Sequence, residues 1–159
     1  PAERIYICLL EKGRFEAKYC SNPLASLSFS IAADSPQITY LRTMESYLIL
    51  SEFSASPLYL STWESEKDLF RRLNIDCVSA MKDGKEVIGL ILLSAKERGR
   101  DYTYVETSYL ETISSVAAIA MKNAALEISP AMPKSRARRR ACPPRTETVR
   151  PSSRSSAPK

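Results

Sequence analysis

Two apolar segments joined by a tight turn dominate the hydrophobic pattern of residues 75–94. Asp83 and Gly84 predict the turn, because Gly accepts a positive φ and Asp tolerates left-handed geometry. Residues 87–93 are almost entirely apolar, which is typical of a central strand covered on both faces. Gly89 inside this run indicates a bulge or the close approach of another backbone. We therefore predict a central β-hairpin.

Shorter elements precede this hairpin. Residues 4–10 and 14–19 predict a first hairpin, whose second strand alternates between apolar and charged side chains. Alternation with Ser predicts a third strand over residues 24–31. Ser35 and Pro36 predict the start of a short helix, with Ser as N-cap and Pro at the first helical position. A short strand over residues 47–50 and a loop over residues 52–57 follow.

A second helix is predicted up to about Leu73. Ser61 and Glu64 match a capping box, in which Glu64 would reach back to the Ser61 amide. The apolar side of this helix carries Trp63, Leu69, Phe70 and Leu73, and its solvent side carries Glu64, Lys67, Asp68 and Arg71. Asn74 is the expected C-cap.

A long helix is predicted at the end of the folded part. A second capping box, formed by Thr103 and Glu106, begins it, and the pattern continues to about residue 128, a length of about 37 Å. Its main apolar stripe consists of Val105, Tyr109, Leu110, Ile113, Val116, Ala117, Ala120 and Ala124. Ile119, Met121 and Leu126 lie off this stripe. The pattern therefore predicts one contact with the sheet and one with a further partner.

Charge divides the chain into two parts. Residues 1–128 carry 14 basic and 17 acidic side chains, whereas residues 129–159 carry nine basic and one acidic. The second part is rich in Pro and Ser and cannot bury a core, so we predict a disordered tail. We interpret residues 1–128 as one domain. Because Arg, Pro, Ser and Ala also dominate a GC-rich frame read out of register, we expect the tail to be a non-native, frame-shifted end.

Composition excludes several chemistries. The chain has no His, which excludes Ser-His-Asp and Cys-His catalysis and His-ligated metals. Cys8, Cys20, Cys77 and Cys142 are scattered, so neither a disulfide framework nor a zinc site is expected. We expect buried free thiols in a reducing cytoplasm. No apolar run is long enough to span a membrane, and we expect no metal and no cofactor.

Two motifs carry a resemblance to a known family. The strand VIGLILL at residues 87–93 and the run from Tyr102 to Leu126, with AAIAMKNAAL at its end, resemble the GAF domain, a small ligand-binding sensor of signalling proteins. The resemblance covers about residues 5–128. It implies an α+β sandwich in which helices pack on one face of a central antiparallel sheet. A ligand pocket would lie on the other face, under the short helices and loops of residues 24–74. The helix that usually opens the domain is absent from a chain that begins at Pro1, so we expect a fragment or a processed form.

The resemblance also supplies candidate site residues. The expected pocket residues are Phe29, Tyr40, Leu41, Tyr47, Phe53, Trp63, Phe70 and Cys77. The alternative is that these side chains are core packing under loops. The expected residues of a dimerising or signalling helix are Leu110, Ile113, Ile119, Met121 and Leu126. Plain core packing is again the alternative.

These observations predict a non-catalytic sensory domain of a cytoplasmic, bacterial signal-transduction protein. It would bind an unknown small molecule, form a homodimer through the terminal helix and regulate a covalently linked diguanylate cyclase, kinase or transcription activator. The family's cyclic-nucleotide motif and its Cys-His bilin site are absent, so the ligand is not identified. The alternatives are a dimerisation module without ligand, nucleic-acid binding through the basic tail, and a thiol reductase. Nucleic acid is not the expected partner, because the folded part is acidic.

Overall fold

The computed structural model describes residues 2–128, which form a six-stranded antiparallel sheet with helices on both faces. The strands are β1 (Ile5–Glu11), β2 (Arg14–Cys20), β3 (Ser30–Ala32), β4 (Tyr47–Ile49), β5 (Ile75–Asp83) and β6 (Glu86–Ser94). The helices are α1 (Pro36–Thr43), α2 (Leu50–Phe53), α3 (Pro57–Leu60), α4 (Glu64–Leu73) and α5 (Tyr104–Ile128). The strand order is β3-β2-β1-β6-β5-β4. The tail predicted over residues 129–159 lies outside the described residues.

The predicted central hairpin is confirmed as β5 and β6, which pair along their whole length. Gly84 takes φ +62° in the turn, in the left-handed region that Gly tolerates. β6 also pairs with β1, so it lies in the middle of the sheet. A Cβ atom at Gly89 would lie 3.0 Å from the Cys8 carbonyl oxygen of β1. The close backbone approach predicted at Gly89 is therefore present.

The sheet separates two hydrophobic clusters. On one face, α1, α2 and α4 cover a core that includes Tyr6, Phe15, Leu41 and Leu92. On the other face, α5 packs mainly against β5 and closes a smaller cluster around Met81, Ile91, Leu110 and Ala118. The fold class expected from the sequence, an antiparallel sheet between helices and a cover of short helices and loops, is confirmed.

Helix α5 turns only part of its predicted apolar stripe toward the sheet. The residues it buries are Thr107, Leu110, Ser114 and Ala118, at steps of three and four. The side chains of Val105, Tyr109, Ile113 and Val116 are 58–68% exposed. The sheet therefore covers only part of the predicted apolar stripe. The small side chains of Ser114 and Ala118 let the helix approach the sheet closely, which larger side chains would prevent.

The cap predictions have mixed outcomes. The capping box at Thr103 is confirmed, because the Thr103 amide donates to Glu106 Oε2 at 2.8 Å. Asn74 ends α4 in the left-handed conformation, as predicted. The capping box at Ser61 is wrong. The Ser61 hydroxyl donates to the Leu58 carbonyl of α3 at 2.6 Å, and α4 begins only at Glu64.

Two segments differ from their predicted secondary structure. The third strand is limited to Ser30–Ala32, because the Asn22 side chain accepts the Leu24 amide at 2.9 Å and holds the preceding segment in a turn. The predicted loop over residues 52–57 includes parts of α2 and α3, and Pro57 occupies the first helical position of α3. Among the described residues, no helix is long and apolar enough to cross a membrane.

Candidate functional site

A cleft of about 280 Å³ opens between the end of α1, strand β4 and helix α2. We call it the aromatic cleft, because Tyr40, Tyr47 and Phe53 line it together with Leu48, Ile49, Glu45, Glu52 and Ser56. The ring centroids of Tyr40 and Phe53 lie 5.7 Å apart at a tilt of 44°. Phe53 and Leu48 are buried and form part of the core beneath the cleft. The cleft therefore has aromatic walls and an apolar floor.

Local sequence explains how these side chains converge. Helix α2 begins directly at the end of β4, so Phe53 turns into the core while Glu52 stays exposed. The Ser56 hydroxyl accepts the Leu58 amide at 3.1 Å, and this cap starts α3 immediately after α2. The two consecutive short helices fold the chain back over the sheet beside β4. This return forms one side of the cleft.

The cleft is acidic at its rim. Glu45 and Glu52 contribute exposed carboxylates, and no Lys or Arg is among the described residues that line it. Lys82 of β5 donates to the Glu45 carbonyl oxygen at 3.0 Å and fixes the backbone there. The cleft can stack a flat or partly apolar molecule and accept hydrogen bonds from it.

Of the candidate pocket residues, Tyr40, Tyr47 and Phe53 lie together in the aromatic cleft. Leu41 is fully buried in the core of the same face. Phe29 packs edge-on against Tyr6, with ring centroids 5.4 Å apart.

The remaining candidates lie elsewhere. Phe70 is buried beside a separate surface depression. Trp63 is 42% exposed at the N-cap of α4, so the prediction that it lies on the buried side of that helix is wrong. Cys77 lies on the opposite face of the sheet, in the cluster under α5. This placement corrects its expected position under the cover, because neighbouring residues of a strand point to opposite faces.

Sequence reasoning did not select Glu45, Glu52, Leu48 and Ser56, which also line the cleft. A helix prediction over residues 50–53 would have placed Glu52 beside Phe53 and so indicated its position. Lys67, predicted on the wet side of α4, is buried, with its ammonium 4.7 Å from the centroid of the Tyr59 ring. The ring and the ion pair with Glu64 compensate for its burial.

The candidates for a dimerising helix fall into two groups. Leu110 is buried and Met121 is half-buried, and both belong to the cluster between α5 and the sheet. Ile113 and Ile119 are 58% and 62% exposed. The side chain of Leu126 lies outside the described part of the chain. Together with Val105, Tyr109 and Val116, the two exposed residues form an outward apolar face on α5, which we call the outer stripe.

The outer stripe continues into an apolar groove of about 390 Å³ beside α5. The groove is lined by Ile5 and Ile7 of β1, Leu93 of β6, and Tyr109 and Ile113 of α5. Because α5 packs mainly on β5, it leaves this part of the sheet face uncovered.

Ser79 of β5 links strand β4 to helix α5 on the face of the sheet that α5 covers. Tyr47 of the aromatic cleft pairs with Ser79 across β4 and β5. Ser46, the residue before Tyr47, accepts the Ala80 amide through its carbonyl oxygen at 2.8 Å. The Ser79 side-chain oxygen lies 2.8 Å from that of Ser114 in α5. A chain of short contacts therefore runs from the cleft strand to α5.

None of the described residues that line the cleft is a Cys or a His. Cys8, Cys20 and Cys77 are free and buried. Burial raises the pKa of Cys8 and of Cys77 to about 12, so both are neutral thiols at neutral pH. Within residues 2–128, no group of three His, Cys, Asp or Glu side chains is placed to hold a metal ion.

Solved structures with the same fold come from several kinds of protein. No family model and no curated protein sequence matches the chain. A GAF domain/HD domain protein from Geobacter sulfurreducens superposes with a TM-score of 0.61 at 20% identity, covering 79% of this chain and 83% of that one. Residues 122–287 of a methyl-accepting chemotaxis protein superpose with a TM-score of 0.65 at 15% identity, covering 80% and 82%. A free methionine-R-sulfoxide reductase from Thermoplasma acidophilum gives 0.51 at 14% identity, covering 77% and 80%.

These similarities extend over most of each chain, although few residues are identical. They agree with the six-stranded antiparallel sheet, the helix on one face and the short helices on the other. The described residues therefore have a GAF-like fold.

Proposed function

We propose that this chain is a non-catalytic sensory domain of a signal-transduction protein. A small molecule would bind in the aromatic cleft and favour one arrangement of α1, α2 and β4. The change would reach α5 and, through it, a covalently linked output domain such as a diguanylate cyclase, a kinase or a transcription activator. The contact chain from Tyr47 through Ser79 to Ser114 is the single observation that carries this proposal.

The cleft's composition supports binding rather than catalysis. Its carboxylates, phenols and one hydroxyl are not accompanied by a His or by a Cys. A nucleophile needs a base that activates it, whereas the Ser56 hydroxyl of the cleft caps α3 by accepting the Leu58 amide. Cys8 and Cys77 do not support a thiol reductase, because their neutral thiols are poor nucleophiles.

The outer stripe supports a homodimer formed through α5. Its members, Val105, Tyr109, Ile113, Val116 and Ile119, follow one another at steps of four or three residues. This spacing is typical of a seam between two helices. Two copies pairing there would hold their α5 helices side by side, and a shift of α5 in one copy would be felt by the other.

Thermal unfolding of the full chain with a panel of nucleotides, amino acids and tetrapyrroles tests ligand binding. A ligand at 100 times its Kd should stabilise the protein by about 2.7 kcal/mol. Tyr47→Leu should abolish the response. Tyr104→Leu, an equal change at a residue that is 82% exposed at the start of α5, should retain it.

Hydrogen exchange tests separately whether ligand binding in the cleft affects α5. Ligand should change amide hydrogen exchange in α5 of the wild type and fail to do so in Ser114→Ala. A ligand response that Tyr47→Leu does not affect would contradict the cleft as the binding site.

A dimerisation module without ligand is the second candidate, favoured by the exposure of the outer stripe. It predicts a concentration-dependent dimer and no thermal response to any compound of the panel. Nucleic-acid binding through residues 129–159 stays a prediction, because those residues lie outside the described part. It requires steeply salt-dependent binding that is lost when the tail is removed.

A further inference from the structure

A second cavity, of about 370 Å³, lies between the start of β1, the turn after β2 and the end of α4. Arg4, Arg72, Asn22 and Ser26 are its polar lining residues, together with Tyr6. It shares no lining residue with the aromatic cleft. We infer that this cavity binds an anion through a carboxylate or phosphate group, a site that goes beyond the proposed sensing function.

The hydrogen-bonding inventory of the cavity is the first argument. Asn22 Oδ1 accepts the Leu24 amide at 2.9 Å, and Ser26 Oγ accepts the Ser28 amide at 3.2 Å. The turn therefore uses the side-chain acceptors of both residues. The Asn22 NH₂ group, the Ser26 hydroxyl hydrogen and N–H groups of two guanidiniums remain as donors. The Arg4 guanidinium also faces the Tyr6 side chain, which raises the pKa of Arg4. A site that offers mostly donors is complementary to a group that only accepts, such as a carboxylate or a phosphate.

Charge is the second argument. No acidic side chain is among the described residues that line the cavity. Neither Arg4 nor Arg72 forms an ion pair with a described residue, whereas the neighbouring Arg71 pairs with Asp68. The Tyr6 side chain and, more weakly, Glu3 raise the pKa of Arg4 and favour its charged form, so the cavity offers two cationic guanidiniums to an anion. The planar N–H fork of Arg also matches carboxylate and phosphate oxygens in pairs.

The apolar lining limits the rest of the ligand. Ala25 and Leu73 are half-buried and complete the wall, Tyr6 beneath them is 1% exposed, and Leu24 at the rim is 93% exposed. An organic acid or a phosphate ester would place its carbon skeleton on this side and its anionic group toward Arg4 and Arg72. The cavity thus fits a small organic anion better than a polymer such as nucleic acid.

The test is an NMR titration of the full chain with phosphate, succinate or chloride at constant ionic strength. Phosphate, succinate or both should give saturable shifts of the Asn22 and Ser26 amides. Arg4→Gln and Arg72→Gln should each weaken binding about tenfold, which corresponds to about 1.4 kcal/mol. Arg71→Gln removes the same charge one residue away and should bind as the wild type does.

Each outcome is decisive. A response to phosphate alone assigns a phosphorylated ligand, and a response to succinate alone assigns a carboxylic acid. The inference is overturned if neither anion shifts Asn22 and Ser26 more than chloride does. It is also overturned if Arg71→Gln weakens binding as much as Arg72→Gln, because that result indicates general charge attraction. Arg72 is exposed, so its variant keeps the fold even if Arg4→Gln does not.

Discussion

The side-chain oxygens of Ser79 and Ser114 lie 2.8 Å apart, and both residues are at most 1% exposed. Ser79 belongs to the central hairpin and Ser114 to α5, so this hydrogen bond crosses the interface between sheet and helix. A buried hydroxyl without a partner is costly, so each serine makes the other tolerable in an apolar interface. The bond therefore fixes the rotation and register of α5 on the sheet.

We expect Ser79→Ala to lower the free energy of unfolding by about 1–3 kcal/mol, because it strands the Ser114 hydroxyl. Ser114→Ala should cost less, because the Ser79 hydroxyl can still donate to the Ser46 carbonyl oxygen at 3.4 Å. The double variant should lose little more than Ser79→Ala alone. Urea unfolding of the four proteins measures the coupling energy of the pair. Additive losses would show that the two hydroxyls do not depend on each other.

Ile113→Glu or Val116→Glu should convert a dimer into a monomer, because each places a charge in the outer stripe without disturbing the core. Sedimentation equilibrium measures the change, and Ser115→Glu, at an exposed position off the stripe, is the control. Met121→Glu is a poorer probe, since this half-buried side chain packs on the sheet. A wild type that stays monomeric at every concentration contradicts the homodimer.

Gly89→Ala should destabilise the domain by about 1–3 kcal/mol, because its Cβ would clash with Met81 Cε and lie 3.0 Å from the Cys8 carbonyl oxygen. Adding Met81→Ala removes the first clash and leaves the backbone one. The double variant should therefore still show the destabilisation that arises from the contact with the Cys8 carbonyl oxygen. Thermal unfolding of the two variants tests this, and a neutral Gly89→Ala would argue against the close strand approach.

Glu66 in α4 is 5% exposed, and neither of its carboxylate oxygens has a hydrogen-bond partner among the described residues. Burial raises its pKa, although the nearby Ser35 hydroxyl and Ala32 amide, which lie outside hydrogen-bond geometry, partly oppose the shift. The folded state then holds a proton that the unfolded state releases, so stability falls as the pH rises above about 4.5 toward the raised pKa. Glu66→Gln should remove this part of the pH dependence in urea unfolding series. An unchanged pH profile would contradict the assignment.

The pKa of Glu106 is shifted in the opposite direction from that of Glu66. The Lys96 ammonium, and then the amide and hydroxyl of Thr103, lower the pKa of Glu106 to about 2. Its stabilisation is present above the unfolded pKa of about 4.5 and is lost as the pH falls toward 2. Because the carboxylate is 46% exposed, we expect Glu106→Gln to cost under about 1 kcal/mol at pH 7 and clearly less at pH 2, where part of the folded protein has this carboxylate protonated. An equal cost at both pH values would point to lost packing instead.

The sequence by itself determined features that depend on neighbours along the chain. The Asp83-Gly84 turn, the left-handed Asn74 and the capping box at Thr103 all follow from local backbone geometry, and all are present. The apolar run of β6 also correctly predicted a strand in the middle of the sheet. The fold class was predicted from these signals together with the resemblance of residues 87–93 and 102–126 to the GAF family.

Only the tertiary structure decided which surfaces are covered. Trp63 is exposed and Lys67 is buried, although hydrophobicity alone predicts the reverse. The side of α5 that carries Ser114 and Ala118 packs on the sheet, and the more apolar side that carries Tyr109 is exposed. The physical reason is that burial depends on the shape and hydrogen bonds of the opposing surface. Here that surface includes the Ser79 hydroxyl, which accommodates a small polar partner.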